Sequence, residues 1–402
     1  MIRIHDIAIF ILIFVMYSNV LLYLYIVGDL SIPPFVFHLL YVIILFILAI
    51  TVNKNQLFLH PVIVFMIFMI GISGLSFLIH PETINGSITL ATEAYLIVFM
   101  MGLYFIFSLS PRSILIAQYA ILFSGIVSVV INVYDFLHPF AMLPLELANP
   151  GRASGFYVNP NGSGIALLLA LLLTINIVSS KYREILIIYF TLGIVLTVSR
   201  GAILGLFLII IFFVRYKQMY TRRLIPIIAV FLIALPLTAK IMLDIAFDSN
   251  QFDVANIAQR LDWFSTFGKS RDFSENERIR VANKALAVME ENALLGVGIS
   301  KIRSWNVLPH NMYLYFGVQY GVLGLLIYPL FLMACVARGW WQNRAIFLPF
   351  VVVMLFLGLV SHNMMESYFI FIASALVAAM GNLSVVRAQG PKATHRDEMV
   401  PT

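Results

Sequence analysis

Long apolar runs separated by short polar stretches dominate the chain. A bilayer core about 30 Å thick asks for about 20 apolar residues in a helix. Twelve segments meet or approach that length: 7–27, 35–53, 61–79, 88–109, 113–134, 164–180, 185–199, 202–214, 223–243, 311–337, 345–364 and 368–386. The pattern predicts an all-α, polytopic membrane protein of about twelve transmembrane helices, with one large extracytoplasmic loop that contains short helices. The first segment follows Arg3 and His5 and has no small-residue cleavage motif behind it, so it is expected to stay as a helix.

Composition sharpens this picture. Hydrophobic residues make up 61% of the chain and charged residues 11%, against about 25% charged in soluble domains. The net charge of +6 does not point to nucleic acid, because the basic residues punctuate apolar runs and form no patch. Lys54, Arg112, Lys181, Arg183, Arg215, Lys217, Arg222, Arg223, Arg338 and Arg344 fall in alternate loops. Arg387, Lys392 and Arg396 follow in the tail, whereas the loops 28–34 and 80–87 carry no lysine or arginine. This bias predicts a bacterial inner-membrane protein with both termini in the cytoplasm. No internal repeat is visible, which argues against an inverted-repeat transporter. The single cysteine, Cys335, lies in an apolar run and reads as a core residue.

The spans divide the chain into 1–134, a central region 135–337, a C-terminal pair of spans 338–386 and a cytoplasmic tail 387–402. Two long outer loops fall in the central region. One, 135–163, is rich in proline, glycine and asparagine. The other, 244–310, is long enough to be functional and carries helix signals.

Between Ile185 and Val214 the only charge is Arg200. One unbroken helix would bury it at mid-membrane and reverse the charge bias of every later loop. A hairpin turning at Ser199-Arg200-Gly201 keeps the bias. Its arms of about 15 residues reach about 22 Å, short of the bilayer core, so the turn is expected to sit below the outer surface. An ionisable group at that depth points to function. The alternative is an arginine that snorkels to headgroups.

Ser274 and Glu277 form a capping box that predicts a helix to about Asn292, stopped by Gly296 and Gly298. At 100° per residue Arg278 shares a face with Ala282, Ala285 and Met289, while Arg280 lies about 200° away with Lys284. Arg278 therefore faces protein or membrane and needs an anion, either a ligand or a loop aspartate. Arg280 faces water. His310, expected in the first turn of the tenth span, is disfavoured as imidazolium by the helix dipole and nearby arginines, which suits a general base. A capping or interface role is the alternative. His362 and Glu366 form a further pair one helical turn apart near the outer end of the eleventh span, a spacing that can bind metal, but with two ligands alone it is read as structural. Trp263, Phe264, Trp305, Tyr313 and Tyr315 could stack on sugars or form an interfacial belt. No phosphate-binding glycine loop and no aspartate-rich motif is present in the sequence.

The ordered stretches Asn159-Pro160-Asn161, Ser199-Arg200-Gly201-Ala202, Leu295-Gly296-Val297-Gly298, His310-Asn311-Met312-Tyr313-Leu314 and Tyr320-Gly321-Val322-Leu323-Gly324 resemble the O-antigen ligase and O-antigen polymerase superfamily. The resemblance implies an inverting, metal-independent glycosyltransferase without cofactor, with 135–337 as its catalytic region. The implied donor is an oligosaccharide on undecaprenyl diphosphate. The acceptor is a second lipid-linked glycan (polymerase, the first reading) or the lipid A core (ligase). A polysaccharide transporter or flippase, or a non-catalytic scaffold, are the other readings. The resemblance makes His310 the catalytic base on the periplasmic side and has Arg200 and Arg278 hold the diphosphate. Arg152, Asn161, Arg280, Asn311, Tyr313 and Glu366 are further candidates for substrate contact. Membrane lipids and a chain-length regulator protein are candidate partners, and nucleic acid is not.

Overall fold

The computed structural model describes residues 4–41, 43, 60–80, 84–138, 140–144, 147–148, 151–229, 233, 273–299 and 301–388. Among them all regular structure is helical. The main helices are α1 (Ile4–Tyr17), α2 (Val20–Ile26), α3 (Pro61–Ile79), α4 (Ile84–Ser108), α5 (Pro111–Leu137), α6 (Pro160–Thr174), α7 (Arg183–Leu196) and α8 (Arg200–Arg215). There follow α9 (Phe273–Glu291), α10 (Met312–Tyr320), α11 (Gly324–Val336), α12 (Arg344–Val360) and α13 (Tyr368–Ala388).

The expected twelve spans reduce to a coarser result. Four helical stretches are long and apolar enough to cross a membrane, α3, Gly86–Ser108 in α4, α5 and Met312–Val336, or five if the bent pair α1–α2 is one span. Helices α6, α12 and Tyr368–Leu383 of α13 are apolar but shorter. A helix also begins at residue 34, but most of the expected spans 35–53 and 223–243 lies outside the described residues.

Apolar side chains cover both the inside and the outside of the bundle. Val64, Ile67, Phe68, Leu75 and Leu78 of α3 are exposed, as are Leu204, Phe207 and Ile211 of α8. Such faces require lipid rather than water. Helix α6 is apolar all round and is correspondingly enclosed: every residue from Ser163 to Thr174 is buried, against α5, α7, α8, α12 and α13.

The first span is bent by 48° between α1 and α2. Asn19 stands there with φ of 61° and donates to the Phe156 carbonyl at 3.2 Å. The Tyr17 carbonyl, released from the helix ladder, accepts from the Tyr157 hydroxyl at 2.6 Å. The bend is therefore where the loop after α5 docks. Asp135 orders that loop, its carboxylate accepting from the Ser154 and Gly155 amides at 2.7 and 2.9 Å.

The apolar stretch 185–214 is a hairpin. A Cβ on Gly164 would meet Ala202 and Thr197, one on Gly193 would meet Leu167, and one on Gly205 would meet Leu168. Moving along α6, the contacts run backwards through α7 and forwards through α8, so these two helices are antiparallel. The turn is Thr197–Ser199, with Val198 at φ 47°.

Candidate functional site

The hairpin turn places Arg200 in the first turn of α8, where Ser199 caps the helix by accepting from the Ala202 amide at 3.4 Å. Asn161 lies at the N-terminus of α6 beside it. Its side-chain oxygen accepts from Ser199 Oγ at 3.0 Å and from Arg152 Nη2 at 2.9 Å. Arg152 Nε also donates to the Thr197 carbonyl at 3.1 Å. The proline-rich loop is thus bolted to the hairpin turn.

Helix α9 supplies the third cation. It begins at Phe273, one residue before the predicted capping serine, and Glu277 pairs with Arg280 at 3.4 Å. Along its inner face Val281 and Ala285 are buried, whereas the Arg280 side chain is 77% exposed. The helix is fixed through two glycine-rich stretches. The amides of Val297 and Gly298 donate to the Val318 and Gln319 carbonyls at 2.9 and 3.2 Å, and the Val322 amide donates to the Ala293 carbonyl at 2.7 Å. Gly321 has φ of 72°, and a Cβ there would lie 2.4 Å from the Ala293 carbonyl oxygen. Only glycine allows this crossing of backbones.

Arg152, Asn161, Ser199, Arg200 and Arg278 line one cavity of about 270 Å³, closed by Ile165, Phe356, Leu357 and Val360. Among the described residues that line it there are three arginines and no aspartate or glutamate. The N-termini of α6 and α8 add the positive ends of two helix dipoles. A multiply charged anion is the ligand such a lining suits, and the arginine fork matches phosphate oxygens.

His310 precedes the cap of α10 rather than lying in its first turn, because Asn311 is the N-cap. Its imidazole is pushed down to about 4 by burial and then by the Arg278 charge. The Asn311 side chain accepts from the Tyr313 and Leu314 amides at 2.9 and 3.1 Å. The Tyr313 hydroxyl donates to the Leu355 carbonyl at 3.0 Å. Both side chains therefore hold the helix mouth together. Trp305 packs under Lys284, whose Nζ is 4.1 Å from its ring centroid. Trp263 and Phe264 lie outside the described residues.

His362 and Glu366 are in the loop after α12, not on one helix as their spacing suggested, since α12 ends at Val360. The rings of His310 and His362 are edge-to-face, 5.0 Å apart. Glu366 belongs to a second cluster. Its Oε1 accepts from Arg303 Nη2 at 2.5 Å and from the Tyr315 hydroxyl at 3.3 Å. Glu93, in α4, accepts from Ser73 at 2.5 Å and from Tyr320 at 3.4 Å. Glu93 and Arg303 line with Tyr315 and Glu366 a cavity of only about 40 Å³. The sequence reading missed Arg303, Ser73, Tyr320 and Glu93. The last carried a signal, a lone carboxylate inside an apolar run.

Fold and cavity together define an all-helical, multi-pass membrane protein with a cationic pocket at one end of its helices. Residues 185–328 match the family model described as O-antigen ligase. This match supports the O-antigen ligase and polymerase superfamily, whose members are glycosyltransferase-like enzymes. It covers Arg200, Arg278 and His310, while Arg152, Asn161, His362 and Glu366 lie outside it. No curated protein and no solved structure matches the chain.

Proposed function

We propose that the protein transfers a glycan from undecaprenyl diphosphate to a sugar hydroxyl at the periplasmic face of the inner membrane. The convergence of Arg152, Arg200 and Arg278 on one cavity without a lining carboxylate carries this reading. The lysine and arginine bias of the loops supports an orientation with both termini cytoplasmic and the cavity outside.

The diphosphate sits among the three guanidiniums, and its polyprenyl chain runs out into lipid. As the anomeric C–O bond breaks, charge gathers on the leaving diphosphate, and preorganised cations stabilise it in a site poor in water. They provide the electrostatic role without a metal or cofactor. His310 takes the proton of the acceptor hydroxyl, worth about 100- to 10,000-fold in rate for a positioned base. In the ligand-free protein Arg278 weakens that base. Bound diphosphate offsets the Arg278 charge and moves the imidazole pKa back up towards its ordinary value, so the donor strengthens the base. Attack on the face opposite the diphosphate gives inversion.

Polymerase is the first reading, with a second lipid-linked glycan as acceptor, and ligase onto lipid A core is the alternative. A deletion strain separates them: a polymerase mutant leaves one repeat unit on the core and a ligase mutant leaves bare core. Purified full-length protein given defined lipid-linked donor and acceptor should join glycans, and His310→Ala should not. A flippase or scaffold would form no product in that assay, and a His310→Ala variant with the parent rate would overturn the base assignment.

A further inference from the structure

Loss of a proton from the acceptor leaves a charge to dispose of. On His310 an imidazolium would stand in a buried place beside Arg278. Arg278 in turn shares its cavity with Arg152 and Arg200. The only ring stacked against His310 among the described residues is His362. Its Nδ1 is buried and has no hydrogen-bond partner among them. Edge-to-face rings with centroids 5.0 Å apart leave room for facing ring nitrogens at about 3 Å, a hydrogen-bond distance. A histidine ring turns easily about its last torsion.

On its other side His362 meets Tyr315, at 6.2 Å between ring centroids. The Tyr315 hydroxyl donates to Glu366, which also pairs with Arg303. Arg278 from α9 bears on His310, Arg303 from the turn 301–304 bears on His362, and Tyr315 from α10 stands between His362 and Glu366. Glu93 from α4 stands behind Arg303 and adds a second carboxylate against one guanidinium. His362 is itself held down to about 4, by burial first and then by the His310 and Arg303 charges, while Glu366 pairs with that Arg303 at 2.5 Å and offers the carboxylate on this side.

We infer that His362 relays the proton from His310 towards Glu366, and so resets the base after each transfer. This rests on the assignment of His310 as the base. The step balances without a redox partner. The acceptor O–H breaks as its oxygen bonds the anomeric carbon, the bonding pair of the anomeric C–O leaves with the diphosphate, and the proton passes from His310 to His362. It then passes by way of the Tyr315 hydroxyl, which gives its own proton to Glu366 as it takes the one from His362, and leaves from that carboxylate to water. His362 acts through His310 and does not touch the reacting atoms.

The test uses the purified full-length enzyme with lipid-linked donor, followed by kcat, KM and pH profile in H2O and D2O. His362→Gln is expected to lower kcat at least about tenfold with KM unchanged and to enlarge the solvent isotope effect. In His362→Ala, added imidazole should restore part of kcat. Glu366→Gln should likewise lower kcat and enlarge the solvent isotope effect, and it serves as the second variant if the histidine changes unfold the protein. An inactive His310→Ala together with parent kcat and isotope effect in His362→Gln would overturn the relay while leaving the base in place. Loss in His362→Ala that imidazole does not rescue, accompanied by a lower Tm, would also overturn it, as a packing role. Parent activity in His310→Ala would instead remove the base reading itself.

Discussion

Two polar regions joined by the His310–His362 pair use arginine in opposite ways. In the cavity, Arg152, Arg200 and Arg278 come together from a loop, a hairpin turn and a helix, and the described lining holds no carboxylate. Around Arg303 two carboxylates, Glu366 and Glu93, face a single guanidinium in a space of about 40 Å³. The second arrangement is complete within the protein and ties α4, α10 and the 361–367 loop together. The first is large enough for a diphosphate. A charged residue deep in a membrane protein is therefore informative mainly through what surrounds it: opposite charges in a tight space mark a cluster the protein satisfies from within, where a carboxylate such as Glu366 can take up a proton, and like charges around a void mark an anion site.

The largest expected effect tests this contrast directly. Arg200→Lys keeps the charge but loses the planar fork, and transfer should fall by about 100- to 1,000-fold. Arg303→Lys still offers Glu366 a cation and should cost far less turnover. Comparable kcat/KM losses at the two positions would erase the distinction. Next in size is Gly321→Ala, whose methyl would meet the Ala293 carbonyl at a left-handed φ. It should destabilise the protein by about 2 kcal/mol in thermal unfolding, with activity falling as α9 and Arg278 are displaced. An unchanged Tm would show that the glycine crossing is not what positions α9.

Arg278→Gln removes one of the three guanidiniums and should lower transfer at every pH, and it should also act through the pH profile. The neutral imidazole of His310 is the active form, so activity is present above its pKa and lost as pH falls through it. With that pKa held near 4 by burial first and by Arg278 second, removing the charge should move the acid limb of kcat/KM upwards. A limb that stays in place would separate Arg278 from the base. The smallest effect belongs to Arg280→Ala. That side chain is exposed and its pair with Glu277 is loose, so activity and Tm should match the parent, the pair contributing about 0.5 kcal/mol or less. A loss as large as that of Arg278→Gln would mean that both faces of α9 carry function.

Period and composition alone determined much of this. An all-helical membrane protein follows from apolar runs that no soluble core could hide. The hairpin at Ser199 follows from one arginine in a stretch too long and too apolar to be crossed once. The opposed faces of Arg278 and Arg280 follow from the 3.6-residue repeat, because each is a property of consecutive residues. Only the tertiary structure decided that Asn161 bridges Arg152 to the hairpin turn and that the 295–298 and 320–324 glycines cross each other. It likewise decided that Glu366 pairs with Arg303 rather than standing with His362 on one helix. These are contacts between segments far apart in sequence, set by which helix faces meet. Nothing in the local pattern around either partner fixes them.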